Sequence, residues 1–95
     1  MVIRVVWTNE DERENILTFG IDFTLACQTV KNPSSLKIEN LKNDYVFIGP
    51  TDSLSKILVV YCKLEEGFRK IEWARNASIK ESNAYFNFLI EGNFQ

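Results

Sequence analysis

The sequence predicts an α+β fold: a small antiparallel β-sheet packed with helices, in the order β-α-α-β-β-β-β-α. Three observations predict it. Two capped helical segments follow a short N-terminal strand, four strand-like runs succeed one another at hairpin spacing, and a capping sequence opens a final helix at Ser78.

Residues 2 to 7, VIRVVW, are rich in β-branched side chains and read as the first strand. Thr8 or Asn9 caps the next segment, and Glu10, Asp11 and Glu12 fill its first turn, where the helix dipole favours negative charge. Gly20 stands where a helix C-terminus calls for a left-handed residue. Asp22 is a second N-cap, after which Phe23, Ala26, Cys27 and Val30 recur at helical spacing and give one apolar face. KNPSS, residues 31 to 35, is a loop by composition.

Residues 36 to 39 form a weak strand and YVFIG, 45 to 49, a stronger one. PTDSLS is a turn. KILVVYCKL, 56 to 64, is apolar on both sides of the pleat, as a central strand is. EEG turns the chain, and FRKIEWAR answers as the hairpin partner. Simple alternation sends Arg69, Ile71, Trp73 and Arg75 to one face, and Phe68, Lys70, Glu72 and Ala74 to the other. Ser78, with Glu81 three residues on, forms a capping box for a helix over 78–90 that carries Ile79, Phe86 and Ile90 on a common side.

Ninety-five residues suffice for one domain and are too few for two independent cores, so residues 1–95 are read as a single domain. Such a chain buries a core of limited surplus, which leaves room for an obligate partner or a dimer. The 45% hydrophobic content excludes a disordered chain, and no apolar run approaches the ~20 residues of a membrane span. MVIRVVW lacks a cleavage-site pattern, so no signal peptide is expected. Cys27 and Cys62 read as reduced, buried thiols, and a cytoplasmic location follows from them. The net charge of −2 speaks against a protein built broadly to hold nucleic acid.

The chain contains no histidine, which removes Ser-His-Asp and Cys-His catalysis and the commonest metal ligand; no metal or cofactor is expected. The four glycines are scattered and make no phosphate-cradling loop. Metal-free RNA cleavage through arginine and tyrosine remains chemically open. Arg75, at the strand-to-helix junction, is placed to hold a phosphate with paired donors, and Tyr85 to position or protonate a leaving oxygen. Each has a structural alternative: Arg75 pairs with Glu81 or Glu72, and Tyr85 is a core aromatic with a wet hydroxyl. Lys56, Lys63, Arg69 and Lys70 on neighbouring strands form either a basic patch or a solvated face.

The chain resembles the BrnT family of bacterial ribonuclease toxins, which is related in fold to the RelE type. Trp7, Asn15, Gly20, Ile21 and Phe23 fall at the spacing of the family's opening motif, and Ile48-Gly49 matches the end of a strand. The closing family motif, Ile-x-x-Ala-Arg-x-Ala-Ser/Thr-x-x-Glu-Arg-x-x-Tyr, is followed by Ile71, Ala74, Arg75, Ala77, Ser78, Glu81 and Tyr85. The departures are concentrated in basic positions. Asp11 stands for a lysine, Thr18-Phe19 for a Lys-His pair, Asp44 for an arginine and Ser82 for another.

The resemblance implies the toxin of a type II toxin–antitoxin system, a metal-independent endoribonuclease with Arg75 and Tyr85 in its site. It also implies a ribbon-helix-helix antitoxin partner, contact with DNA only through that antitoxin, and a homodimer or a heterotetramer with it. The alternative is a catalytically degraded relative that binds an antitoxin or other protein without efficient RNA cleavage. Loss of a general acid or base costs about 10²–10⁴-fold in rate, so two or three such losses bring a ribonuclease close to background.

Overall fold

A computed structural model describes residues 4–39, 44–53, 56–65 and 67–92. Its elements run β1 (Arg4–Val6), α1 (Asn9–Phe19), α2 (Phe23–Lys31), β2 (Leu36–Glu39), β3 (Asp44–Pro50), β4 (Ile57–Glu65), β5 (Phe68–Asn76) and α3 (Ile79–Gly92). The α+β class and the element order are those read from the sequence. Residues 2 and 3 of the first expected strand, 54 and 55 of the PTDSLS turn and Glu66 of the hairpin turn lie outside the described residues.

Local chemistry sets the helix ends. The Thr8 side chain accepts the Asp11 N–H at 3.1 Å, and Asp22 accepts that of Leu25 at 2.9 Å. Gly20, at φ 73°, closes α1 by donating its N–H to the Ile16 carbonyl at 2.9 Å. Glu12 then accepts the Phe23 N–H at 2.9 Å, which ties the start of α2 back to α1.

The five strands form one sheet in the order β1-β5-β4-β3-β2. The three hairpin-related pairs are antiparallel, while β1 joins β5 in parallel and makes the sheet mixed. The helical segment between β1 and the later strands allows that parallel return, which a tight hairpin does not.

Each face of the sheet carries a core. Against α1 and α2 lie Ile21, Phe23, Ala26, Tyr45, Phe47, Leu58, Val60, Cys62, Ile71 and Ala74. Against α3 lies a smaller cluster of Ile48, Val59 and Tyr85, with Trp73, Ala77 and Leu89 partly buried around it. The apolar run of β4 is thereby explained: it is the central strand and is covered on both sides.

In β5 the simple alternation fails. Tyr61 pairs with Trp73 and Cys62 with Ile71, so Glu72 is the extra residue of a β-bulge. Because side chains alternate with period two, one inserted residue exchanges the faces beyond it. Ile71 and Ala74 therefore face the larger core, while Trp73 and Arg75 turn to the α3 side. Arg69 and Ile71 do not share a face with Trp73 and Arg75, contrary to the sequence expectation. The bulge thus decides which way the arginine points.

Two close fits hold the α2 side of the sheet. A Cβ on Gly49 would sit 2.1 Å from the Ser35 hydroxyl oxygen, so no larger residue fits without a shift. Asn15, only 4% exposed, donates to the Ile21 and Ala74 carbonyls at 2.8 Å each and accepts the Ala74 N–H at 2.9 Å. That amide clasp fixes α1 to β5 one residue before Arg75.

Candidate functional site

The β5–α3 junction forms around Ser78. Its hydroxyl accepts the Glu81 N–H at 3.1 Å, and Glu81 Oε1 accepts the Ser78 N–H at 2.9 Å, completing the expected capping box. The Ala77 N–H donates to the Ile57 carbonyl at 2.9 Å and pins the junction to β4. Glu81 then does more than cap. Arg75 Nη1 donates to its Oε1 at 2.7 Å and Nη2 to its Oε2 at 2.8 Å, a bidentate fork.

The Arg75 guanidinium carbon also lies 5.7 Å from the Trp73 ring centroid. The Arg75 and Glu81 side chains retain 35% and 28% of their exposure. The Arg75 fork, together with the Ser78 N–H, holds the Glu81 carboxyl down at about 2, and Glu81 in turn raises Arg75. Near neutral pH the junction therefore carries one positive and one negative charge at contact. It presents no net cation.

Tyr85 lies on the same face of the sheet. Its ring is 3% exposed among Ile48 and Val59, and its hydroxyl lies 3.1 Å from Ser34 Oγ. Ser34 Oγ donates to Asn32 Oδ1 at 2.8 Å, so the Tyr85 hydroxyl is the donor to Ser34. The tyrosine ties α3 to the loop after α2. Sequence gives no sign of that partner, because it stands 51 positions away. Arg75 and Tyr85 share a face, and each is engaged inside the chain.

Three of the positions where the family resemblance calls for cations come together on the other side of Trp73. Asp11, Glu14, Asn15, Thr18, Phe19, Glu72 and Trp73 line a shallow cleft of about 140 Å³ between α1 and β5. Asp11, Thr18 and Phe19 stand at the expected Lys, Lys and His positions, and Glu14 and Glu72 add two further carboxylates. The helix spacing from 11 to 18 brings these residues to one face. The bulge brings Glu72 to them, and only strand pairing reveals it.

The fourth replaced position, Asp44, is 9% exposed and accepts a short hydrogen bond from the Tyr61 hydroxyl, which raises the Tyr61 phenol. Tyr61 stacks on Trp73 at 5.4 Å with the rings 7° from parallel. The fifth, Ser82, is half-buried in the first turn of α3 and donates its N–H to the Ser78 carbonyl at 2.8 Å.

The expected basic patch does not assemble as one surface. Lys63 and Lys70 oppose each other across β4 and β5, and Lys63 leans to Glu72 at 4.0 Å. Arg69 lies on the opposite face, 5.3 Å from the Tyr45 ring centroid and 5.0 Å from that of Phe47. Lys56 is exposed just before β4.

Both cysteines are free thiols. Cys62 is fully buried, and desolvation pushes it up to about 12; Cys27 is half-buried and also raised, chiefly by burial. Among the described residues, no three His, Cys, Asp or Glu side chains are grouped to hold a metal ion. No helix among them is long and apolar enough to cross a membrane.

No family model matches the sequence, and no curated protein matches it. Among solved structures, the chain is similar to the crystal structure of the Brucella abortus ribonuclease toxin BrnT. The TM-score is 0.66 at 19% identity, over 81% of this chain and 99% of that one. The fold is BrnT-like. At that identity the likeness concerns the path of the chain, and the site chemistry rests on the residues described above.

Proposed function

We propose that this protein is a toxin-like module that captures a protein partner, with efficient RNA cleavage lost. The BrnT-like fold supports the toxin-like part, since the similar structure is that of a ribonuclease toxin. The observation that carries the loss is electrostatic. The cleft that the family resemblance would fill with cations holds Asp11, Glu14 and Glu72, and the nearby arginine is neutralised by Glu81. A phosphate about 4 Å from one such carboxylate is repelled by about 1 kcal/mol in water, and by ~4 kcal/mol at the effective dielectric of a protein surface.

The partner class follows from the family resemblance: an antitoxin of ribbon-helix-helix type, through which the complex reaches DNA. Exposed apolar side chains on α1, Ile16 at 46% and Leu17 at 81%, give a protein partner surface to cover.

A second reading is a metal-independent endoribonuclease, with Arg75 holding the scissile phosphate and Tyr85 assisting the leaving oxygen. The 35% exposure of the Arg75 side chain favours it, because incoming phosphate can compete with Glu81 for the guanidinium. Incubation with a long RNA in chelator separates the two readings. Capture of a ribbon-helix-helix protein without cleavage supports the first. Cleavage at nanomolar protein that Arg75→Ala abolishes supports the second.

A further inference from the structure

The outer side of α3 carries a pattern that the fold does not use. The helix buries Tyr85 and half-buries Leu89 against the sheet, while Ile79, Phe86 and Ile90 are 83%, 50% and 56% exposed. With Asn83 between them they follow the i, i+4, i+7, i+11 spacing of a single stripe. At 1.5 Å per residue that stripe is about 16 Å long. Its spacing is symmetric about the middle: an isoleucine closes each end, with Asn83 and Phe86 between.

The charges on the same helix are arranged against its dipole. Lys80 sits in the first turn, where a helix favours anions, and Glu91 in the last turn, where it favours cations. Glu81 supplies a first-turn anion and is committed to Arg75. Neither Lys80 nor Glu91 has an ion-pair partner among the described residues. Both stand on one flank of the stripe, together with Asn87.

We infer that the exposed stripe of α3 pairs with α3 of a second copy of this chain, antiparallel about a two-fold axis. In that arrangement Ile79 meets Ile90 of the second copy, and Asn83 meets its Phe86. The like flanks of antiparallel helices adjoin, so Lys80 meets Glu91 of the second copy, twice by symmetry. Each misplaced charge then lies beside an opposite charge and the opposite end of a helix dipole. Parallel pairing brings unlike flanks together, so the Lys80–Glu91 flank meets the opposite flank of the second copy and neither charge gains a partner. Charge thus selects both the occupant and its direction. Three apolar side chains per copy bury less than the ~800 Å² per partner of a standard interface, so micromolar association is expected.

Sedimentation equilibrium of the full chain from about 1 to 500 µM tests the pairing, with circular dichroism as the check on folding. Wild type should pass from monomer to dimer, and Phe86→Glu should weaken dimerisation at least tenfold with an unchanged spectrum. Lys80→Glu should weaken it several-fold, and adding Glu91→Lys should restore it. Both charge changes agree with the helix dipole, so these variants should fold. Leu17→Ser, on α1, should leave dimerisation unaltered. A chain monomeric at 500 µM overturns the inference. So does a dimer that survives Phe86→Glu, a charge swap that fails to restore pairing, or a dimer lost in Leu17→Ser.

Discussion

Replacing Glu81 by glutamine removes the charge from the Arg75 fork while keeping an acceptor for the Ser78 N–H. Its cost can be worked from the geometry. Holding the carboxyl at about 2, against an ordinary value of 4.5, corresponds to ~3 kcal/mol if taken at face value. The two side chains keep 28% and 35% of their exposure, so solvent screening reduces this to about 1–1.5 kcal/mol, at and just above the ~1 kcal/mol upper end of exposed pairs because the contact is bidentate and partly buried.

For a domain of this size 1 kcal/mol corresponds to roughly 4–8 °C in Tm. The folded-state carboxyl is depressed, so its contribution is full above the unfolded value near 4.5 and is lost as pH falls through about 2. Urea unfolding of wild type and Glu81→Gln at pH 7, 5, 4, 3 and 2 should show a gap of about 1–1.5 kcal/mol at pH 7 and 5. That gap should narrow from pH 4 downward. A gap below 0.3 kcal/mol at pH 7, or one that stays constant down to pH 2, refutes the ion pair as the group that neutralises Arg75.

Further outcomes follow from the rest of the molecule. Asn15→Ala leaves the Ala74 N–H and two carbonyls without their buried partner, and should cost about 2–4 kcal/mol by urea unfolding. Gly49→Ala forces a Cβ into the Ser35 hydroxyl; it should destabilise by about 1–3 kcal/mol, with Ser35→Gly in the same chain recovering part of the loss. Cys62, buried and raised to about 12, should resist thiol labelling in the native state at pH 8 and react only on unfolding.

What could be read in the sequence was what short-range chemistry determines. Thr8, Gly20, Asp22 and the Ser78–Glu81 box act within three or four residues of themselves, and each sits where its spacing put it. The two-sided burial of β4 was legible for a similar reason, since an uninterrupted apolar run has no polar face to show to water. The bulge at Glu72 was not legible, because it belongs to the pairing of β5 with β4 and leaves no mark on β5 alone. That one residue sends Arg75 to the α3 side and brings a carboxylate to the α1 cleft.

The parallel docking of β1 and the Tyr85–Ser34 hydrogen bond were hidden for the same reason. The Arg75–Glu81 contact was among the sequence alternatives. Its bidentate geometry was not, and that geometry turns a candidate phosphate clamp into an internal pair.

Cleavage of a uniformly labelled RNA by micromolar purified protein in chelator bears most directly on the neutralised cleft. Wild type should leave the RNA intact over hours, while Asp11→Lys with Thr18→Lys and Phe19→His should bind it more tightly, with a steeper salt dependence. Rapid cleavage by the wild type at nanomolar concentration, abolished by Arg75→Ala, contradicts the proposal.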